Sequence, residues 1–210
     1  MTFSFKAALF DLDGVLLDTE SLYTDFWARQ GELLNEDGET FAYKIKGMTL
    51  KQILERFFAD DANARTRLIN NVNEHERSMP YDYISHSIDF VKYLHSIGVK
   101  TAVVTSSNNL KMESVYRVHP DFKTFFDLIL TSEDFSRSKP FPDCYLKAAE
   151  LLGFDIDECA VFEDSMNGIK SGKNAGMKVF GLATTCKKED IEGLADCVVS
   201  GFDELLERYS

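Results

Sequence analysis

Basic residues are in short supply in this chain of 210 residues: 23 Lys and Arg stand against 35 Asp and Glu, a formal net charge of −12. That deficit argues against a broad nucleic-acid or anionic-membrane surface, since either needs clustered positive charge. It leaves room for a local basic pocket that holds a small phosphate. Cysteine is scarce too. Cys144, Cys159, Cys186 and Cys197 form no C-x-x-C pair, so no disulfide framework is predicted. The four histidines are scattered, which speaks against a zinc site of the usual spacing. No apolar run approaches the roughly 20 residues of a membrane span. Met1 to Phe10 lacks the charged start and long apolar stretch of a secretion signal. These absences predict a cytoplasmic protein with neither nucleic-acid nor membrane partners. What the chain does have is 44% hydrophobic residues, with 17 Phe, enough for a sizeable core.

Periodicity organises that apolar content. Ala7 to Phe10, Ala102 to Val104, Leu128 to Leu130, Ala160 to Phe162 and Val179 to Phe180 read as short buried strands. Amphipathic stretches alternate with them. Ile84, Ile88, Val91 and Leu94 repeat at helical spacing before Gly98; Pro142 and Asp143 open a helix that ends at Gly153; Met166 to Ala175 is a third, ended by Gly176. Strands alternating with helices predict an α/β fold, a doubly wound, Rossmann-like parallel sheet covered on both faces. One connection is too long. Phe10 to Ala102 far exceeds a βαβ unit of roughly 30 residues, and it carries helical patterns instead of strands. Leu22, Phe26 and Leu33 lie on one face, and Leu50, Ile53, Leu54, Phe57 and Phe58 on another, with Thr49 as a cap. Residues 16–83 therefore read as an inserted helical subdomain, with 1–15 and 84–210 forming the α/β core. The stretch from Asp60 to Met79 is too polar to assign.

Parallel sheets bind ligands beyond the carboxyl ends of their strands. Asp11, Asp13 and Gly14 follow the first strand; Thr105, Ser106 and Ser107 the second; Lys139 the third, at a distance; Glu163, Asp164 and Ser165 the fourth. Adjacent carboxylates repel unless a cation shares them, and hard oxygen donors suit Mg²⁺. Such an ion beside hydroxyls and a lysine suits a phosphoryl group, whose transfer depends mostly on positioning and charge neutralisation. A carboxylate can also act as the nucleophile. The turn at Gly14 lets Asp11 and Asp13 approach one substrate. Ser165 is also a good cap for the helix after it.

The D-x-D-G-V-L run from Asp11 to Leu16, Thr105, Ser138-Lys139-Pro140, and Glu163-Asp164-Ser165 with Gly168 together resemble the four motifs of the haloacid dehalogenase superfamily. The likeness covers essentially the whole chain and is closest to the β-phosphoglucomutase-like phosphatases, whose helical cap is inserted after the first strand. Several roles follow from that resemblance. Asp11 is the implied nucleophile, passing through an aspartyl phosphate, and Asp13 the general acid and then base. Thr105, Ser106, Ser107, Asn109 and Lys139 are implied in phosphate and substrate binding. Asp11, Asp13 through its backbone carbonyl, Glu163 and Asp164 are implied ligands of Mg²⁺.

The implied activity is hydrolysis of a small phosphate monoester, such as a sugar phosphate. A phosphosugar mutase is the alternative, and a non-catalytic binding protein of the same fold is a third reading. Leu50, in Lys46-Gly47-Met48-Thr49-Leu50, stands where the mutases carry an arginine for a second phosphate. That favours hydrolysis, with Lys44, Lys46 or Lys51 as the available substitutes. Tyr23 replaces a histidine of those enzymes while Trp27 matches; both read as cap packing. Nothing in the pattern sets the oligomeric state.

Overall fold

The structure is a computed structural model and describes residues 4–33, 37–45 and 48–209. Its centre is a six-stranded sheet of β1 (Ala7–Phe10), β2 (Lys100–Val104), β3 (Leu128–Leu130), β4 (Cys159–Glu163), β5 (Lys178–Leu182) and β6 (Cys197–Val199). The strands lie in the order β3-β2-β1-β4-β5-β6, and every neighbouring pair is parallel. After β1 come α1 (Glu20–Leu33), α2 (Gly38–Ile45), α3 (Leu50–Phe57), α4 (Ala62–Ser78) and α5 (Ser87–Ser96). Then follow α6 (Asn109–Val118), α7 (Asp143–Leu152), α8 (Met166–Asn174), α9 (Lys188–Ile191) and α10 (Phe202–Tyr209). No described helix is long and apolar enough to cross a membrane.

Strand residues alternate between the two faces of the sheet, and both faces are covered, so the central strands are apolar throughout. Ala8, Phe10, Phe162 and Phe180 enter one cluster with Phe90 and Phe202, while Ala7, Leu9, Val161 and Val179 enter another with Tyr145. Register explains the stacking of the phenylalanines. Phe10 is paired with Phe162, and Phe162 with Phe180. Their rings stack at 4.7 and 4.9 Å between centroids. The same register carries Asp11 to Glu163, because the Asp11 N–H donates to the Phe162 carbonyl at 3.0 Å.

The helices α1 to α4 bury a third cluster of their own, including Phe26, Trp27, Phe41, Ile53, Leu54, Leu68 and Val72. Thr49 caps α3 as its sequence suggests, in a reciprocal capping box with Gln52. The stretch that was too polar to assign is α4, capped by Asp61. Its buried residues are Leu68, Val72 and Glu76, one thin stripe at four-residue spacing on an otherwise polar helix. The two passages into and out of this insertion run side by side: the Asp18 N–H donates to the Asp82 carbonyl and the Ile84 N–H to the Leu16 carbonyl. Leu16, Leu17, Met79 and Tyr81 pack in the cluster of the sheet. Ile84 thus precedes α5 and does not belong to it. The segment holding Lys46 and Gly47 and the side chain of Leu33 lie outside the described residues.

Candidate active site

β1 lies between β2 and β4, so the chain leaves it in one direction toward β2 and later returns on its other side. A crevice opens at such a reversal of strand order. A cavity of about 660 Å³ lies there, lined by Asp11, Asp13, Thr105, Lys139 and Asp164 from the sheet side and by Tyr23, Trp27, Leu50, Ile69 and Glu76 from the insertion.

At its floor Lys139 is almost wholly buried between two carboxylates. Its ammonium donates to Asp11 Oδ1 at 2.8 Å, to Glu163 Oε1 at 2.6 Å and to the Val104 carbonyl at 3.1 Å. Burial disfavours the ammonium, but Asp11 and Glu163 outweigh it and hold Lys139 charged, well above the usual lysine range. Glu163 is saturated: Tyr145 also donates to Oε1, while the Asp164 N–H, Ser165 N–H and Ser165 hydroxyl donate to Oε2. Gly168 is what makes room for it. A Cβ there would fall 1.8 Å from the Glu163 carboxyl carbon.

Asp11, Glu163 and Asp164 each bring a carboxylate oxygen to within 4.8 Å of the others, against the single charge of Lys139. Burial raises the Asp11 carboxyl to about 7; Lys139 opposes this, while Glu163 and Asp13 add to it. Burial also pushes Asp164 well above the carboxylate range, helped by the charges of Glu20, Glu163 and Asp11. Asp164 Oδ1 is buried with no hydrogen-bond partner. A surplus of negative charge around an orphaned carboxylate oxygen fits a hard divalent cation.

Asp13 points elsewhere. Its Oδ1 accepts from Lys111 Nζ and the Thr19 hydroxyl, and its Oδ2 from the Ser107 hydroxyl at 2.9 Å. Burial opposes its charge, yet Lys111, Thr19 and Ser107 prevail and hold Asp13 below the usual carboxylate value. Its side chain is therefore committed to hydrogen bonding, and the contact implied for Mg²⁺ is through its backbone carbonyl. Thr105 Oγ1 accepts from the Ser107 N–H at 3.0 Å, and the buried Ser106 hydroxyl has no partner.

Asn109 is not brought to the cavity. It is exposed at the start of α6, and its N–H donates to the Glu133 carboxylate at 3.2 Å. Asn108, one residue earlier, lines the cavity and caps α6 by accepting from the Lys111 N–H. Lys111 itself went unread in the sequence. The available signal was its place in the first turn of a helix, where the macrodipole disfavours a cation. Tyr23 and Trp27 pack against the insertion's cluster and also line the cavity, so packing is only half of their role. Of the lysines near Leu50, Lys51 reaches the cavity wall, as does Arg65 of α4.

The family model for haloacid dehalogenase-like hydrolases matches residues 8–182. The chain belongs to that family. Among curated relatives, the bifunctional riboflavin kinase/FMN phosphatase of Arabidopsis thaliana is 30% identical over 97% of this chain. The match spans 55% of that longer protein. A probable pseudouridine-5'-phosphatase of Saccharomyces cerevisiae is 30% identical, over 96% of this chain and 92% of its own. Among solved structures, a putative β-phosphoglucomutase from Bacteroides vulgatus superposes with a TM-score of 0.82 at 22% identity, covering 98% of this chain and 89% of that one. The haloacid dehalogenase-like fold thus accounts for the sheet, its order and the helical insertion.

Proposed function

We propose that this haloacid dehalogenase-family protein is a Mg²⁺-dependent phosphatase that hydrolyses a small phosphate monoester through an aspartyl phosphate on Asp11. The observation that carries the reading is the floor of the cavity. There Lys139 holds one oxygen of the partly buried Asp11 carboxylate, and Asp164 presents an oxygen that nothing satisfies. The two curated relatives named above carry phosphatase activities in their names, which supports a small phosphorylated metabolite as substrate.

In this reading Lys139, Thr105 and Ser106 neutralise and hydrogen-bond the transferring phosphoryl, while Asp11 attacks phosphorus with its free oxygen. The bond from phosphorus to the leaving oxygen breaks, and that oxygen takes a proton from Asp13, which acquires it from the substrate monoanion or solvent as the substrate binds. Asp13 then removes a proton from water, which attacks the aspartyl phosphate and releases phosphate. Lys111, by holding Asp13 ionised, favours this second half. Mg²⁺, when bound, neutralises charge developing on the phosphoryl oxygens. Asp11, Asp164 and the Asp13 carbonyl are its assigned ligands. Glu163, its oxygens already taken by five donors, serves to position Lys139. Residues 16–83 act as the cap that selects the leaving group.

Lys51 and Arg65 on the insertion's side of the cavity favour a second reading, a phosphosugar mutase, since a cation there can hold a second phosphate. Leu50 provides none. Incubation with β-glucose 1-phosphate and a trace of the bisphosphate separates the two. Hydrolysis predicts Mg²⁺-dependent phosphate release that is abolished in Asp11→Asn. Conversion to glucose 6-phosphate outpacing phosphate release would replace the phosphatase with the mutase.

A further inference from the structure

Five residues of α4 face the cavity: Arg65, Ile69, Val72, Asn73 and Glu76. Their spacing places them along one side of a helix. Glu76 is the anomaly among them. It occupies the apolar register of Leu68 and Val72 and is only 7% exposed. Its Oε1 accepts from the Tyr23 hydroxyl at 2.7 Å, while Oε2 is buried with no hydrogen-bond partner. A buried carboxylate oxygen left without a donor is costly, and natural proteins retain one where something else supplies the donor. The neighbouring groups do not. Lys111 Nζ is spent on Asp13 and sits over the Tyr23 ring at 4.6 Å, and the insertion's side of the cavity is lined by the apolar Trp27, Leu54, Ile69 and Val72 together with the polar Thr24, Arg65 and Asn73.

We propose that Glu76 is a specificity-determining residue: its Oε2 accepts a hydrogen bond from a hydroxyl or ammonium group on the leaving group of the substrate. The inference rests on the phosphatase reading for the placement of the phosphoryl at Asp11. From there one tyrosine ring separates Asp13's lysine partner from Glu76, so a leaving group departing past Asp13 extends toward this carboxylate. The apolar wall takes its carbon skeleton. A second phosphate or a carboxylate beside Glu76 meets like charge and is rejected. The substrate class is therefore a phosphate monoester of a polyol or amino alcohol, and not a bisphosphate whose second phosphate lies at this point. An orphaned acceptor of this kind discriminates strongly, because a substrate lacking the donor leaves it unpaired.

The chain provides its own reporter, since Trp27 is the single tryptophan and lines the cavity. Full-length protein carrying Asp11→Asn, with Mg²⁺ present, is titrated with pentyl phosphate, ribitol 5-phosphate and 5-aminopentyl phosphate while tryptophan fluorescence is followed. At least one of the two donor-bearing ligands is expected to bind about 10–100-fold more tightly than pentyl phosphate; which one leads tells hydroxyl from ammonium. Adding Glu76→Gln, which turns an amide N–H₂ toward the cavity while Oε1 still accepts from Tyr23, is expected to bring that preference to within about threefold of unity. An undiminished preference in Glu76→Gln overturns the proposal. So does equal binding of all three ligands when Glu76 is intact, a result that stands even if the double variant does not fold. Should unmodified protein release no phosphate from any of them while the preference persists, the phosphatase reading fails and the Glu76 subsite survives.

Discussion

Replacing Gly168 by alanine tests the geometry of the site without touching any group assigned to the chemistry. Gly168 lies in the first turn of α8, and its N–H donates to the Ser165 cap. On helix propensity alone, Gly→Ala in a helix gains up to about 1 kcal/mol. The structure reverses that sign. The new Cβ would lie 1.8 Å from both the carboxyl carbon and Oε1 of Glu163. A flexible side chain could swing aside cheaply, but this one is fully buried and fixed by Lys139, Tyr145 and the amides of Asp164 and Ser165. Moving it leaves Lys139 with half its counter-charge inside the protein, and breaking a buried pair costs about 3–5 kcal/mol. Less the propensity gain, the net loss is about 2–4 kcal/mol. At roughly 2–4 °C per kcal/mol for a chain of this size, Gly168→Ala should melt about 4–16 °C lower. Phosphate release should also fall, because Lys139 loses one of its two anchors. Differential scanning calorimetry and a turnover assay give both numbers. A variant that melts at or above the parent temperature, with unchanged turnover, would refute the steric argument and with it the role given to Glu163.

Lys111→Met should cost about 3 kcal/mol at pH 7 by stranding the buried Asp13 carboxylate. Because Asp13 titrates below its ordinary value, the stability it contributes is present above that value and lost as pH falls through the lowered one. Urea melts should therefore show the gap between parent and variant closing as pH falls past the ordinary carboxylate value and through the lowered one; a gap independent of pH would mean that the lysine matters only for packing. Mg²⁺ should raise the melting temperature by about 5–11 °C at pH 8 when present at a hundred times its dissociation constant. In the metal-free protein Asp11 holds its proton up to about pH 7, so its contribution to stability is full below the ordinary carboxylate value and gone above 7. Metal must displace that proton in acid. At pH 5 the shift should be largely lost, and an equal shift at pH 5 and pH 8 would remove Asp11 from the ligand set.

Five of the six strands were legible as short apolar runs, β6 having gone unread, and the rim was legible where polar residues follow them: Asp11 after Phe10, Thr105 after Val104, Glu163 and Asp164 after Phe162. Period and position sufficed there. Asn109 shows where they fail. Two adjacent asparagines start the helix, and only the turn of the backbone decides that Asn108 enters the cavity while Asn109 faces out. Lys111 was hidden for a related reason: lysines are usually solvated, and the buried acid that recruits it lies 98 residues away in sequence. α4 went unassigned because three buried residues on a 17-residue helix leave little apolar signal, and one of the three is itself a glutamate. Glu76 thus blurred the helix that carries it.

The order of strands in the sheet also fixes when this site can first exist. β1 is the earliest strand in the chain, yet it is central, and its neighbours begin at Lys100 on one side and Cys159 on the other. Asp11 meets Lys139, 128 positions further along the sequence, and Glu163 later still. At synthesis rates of about 5–20 residues per second, the Ala-Ala-Leu-Phe strand waits roughly 8–30 seconds for its second partner. Throughout that interval it has an unpaired edge, and the insertion, whose cluster is local, can fold first. Until β4 arrives, nascent chains have a cap without a floor: the surface that would choose a leaving group precedes Lys139, Glu163 and Asp164, which would complete the site around Asp11.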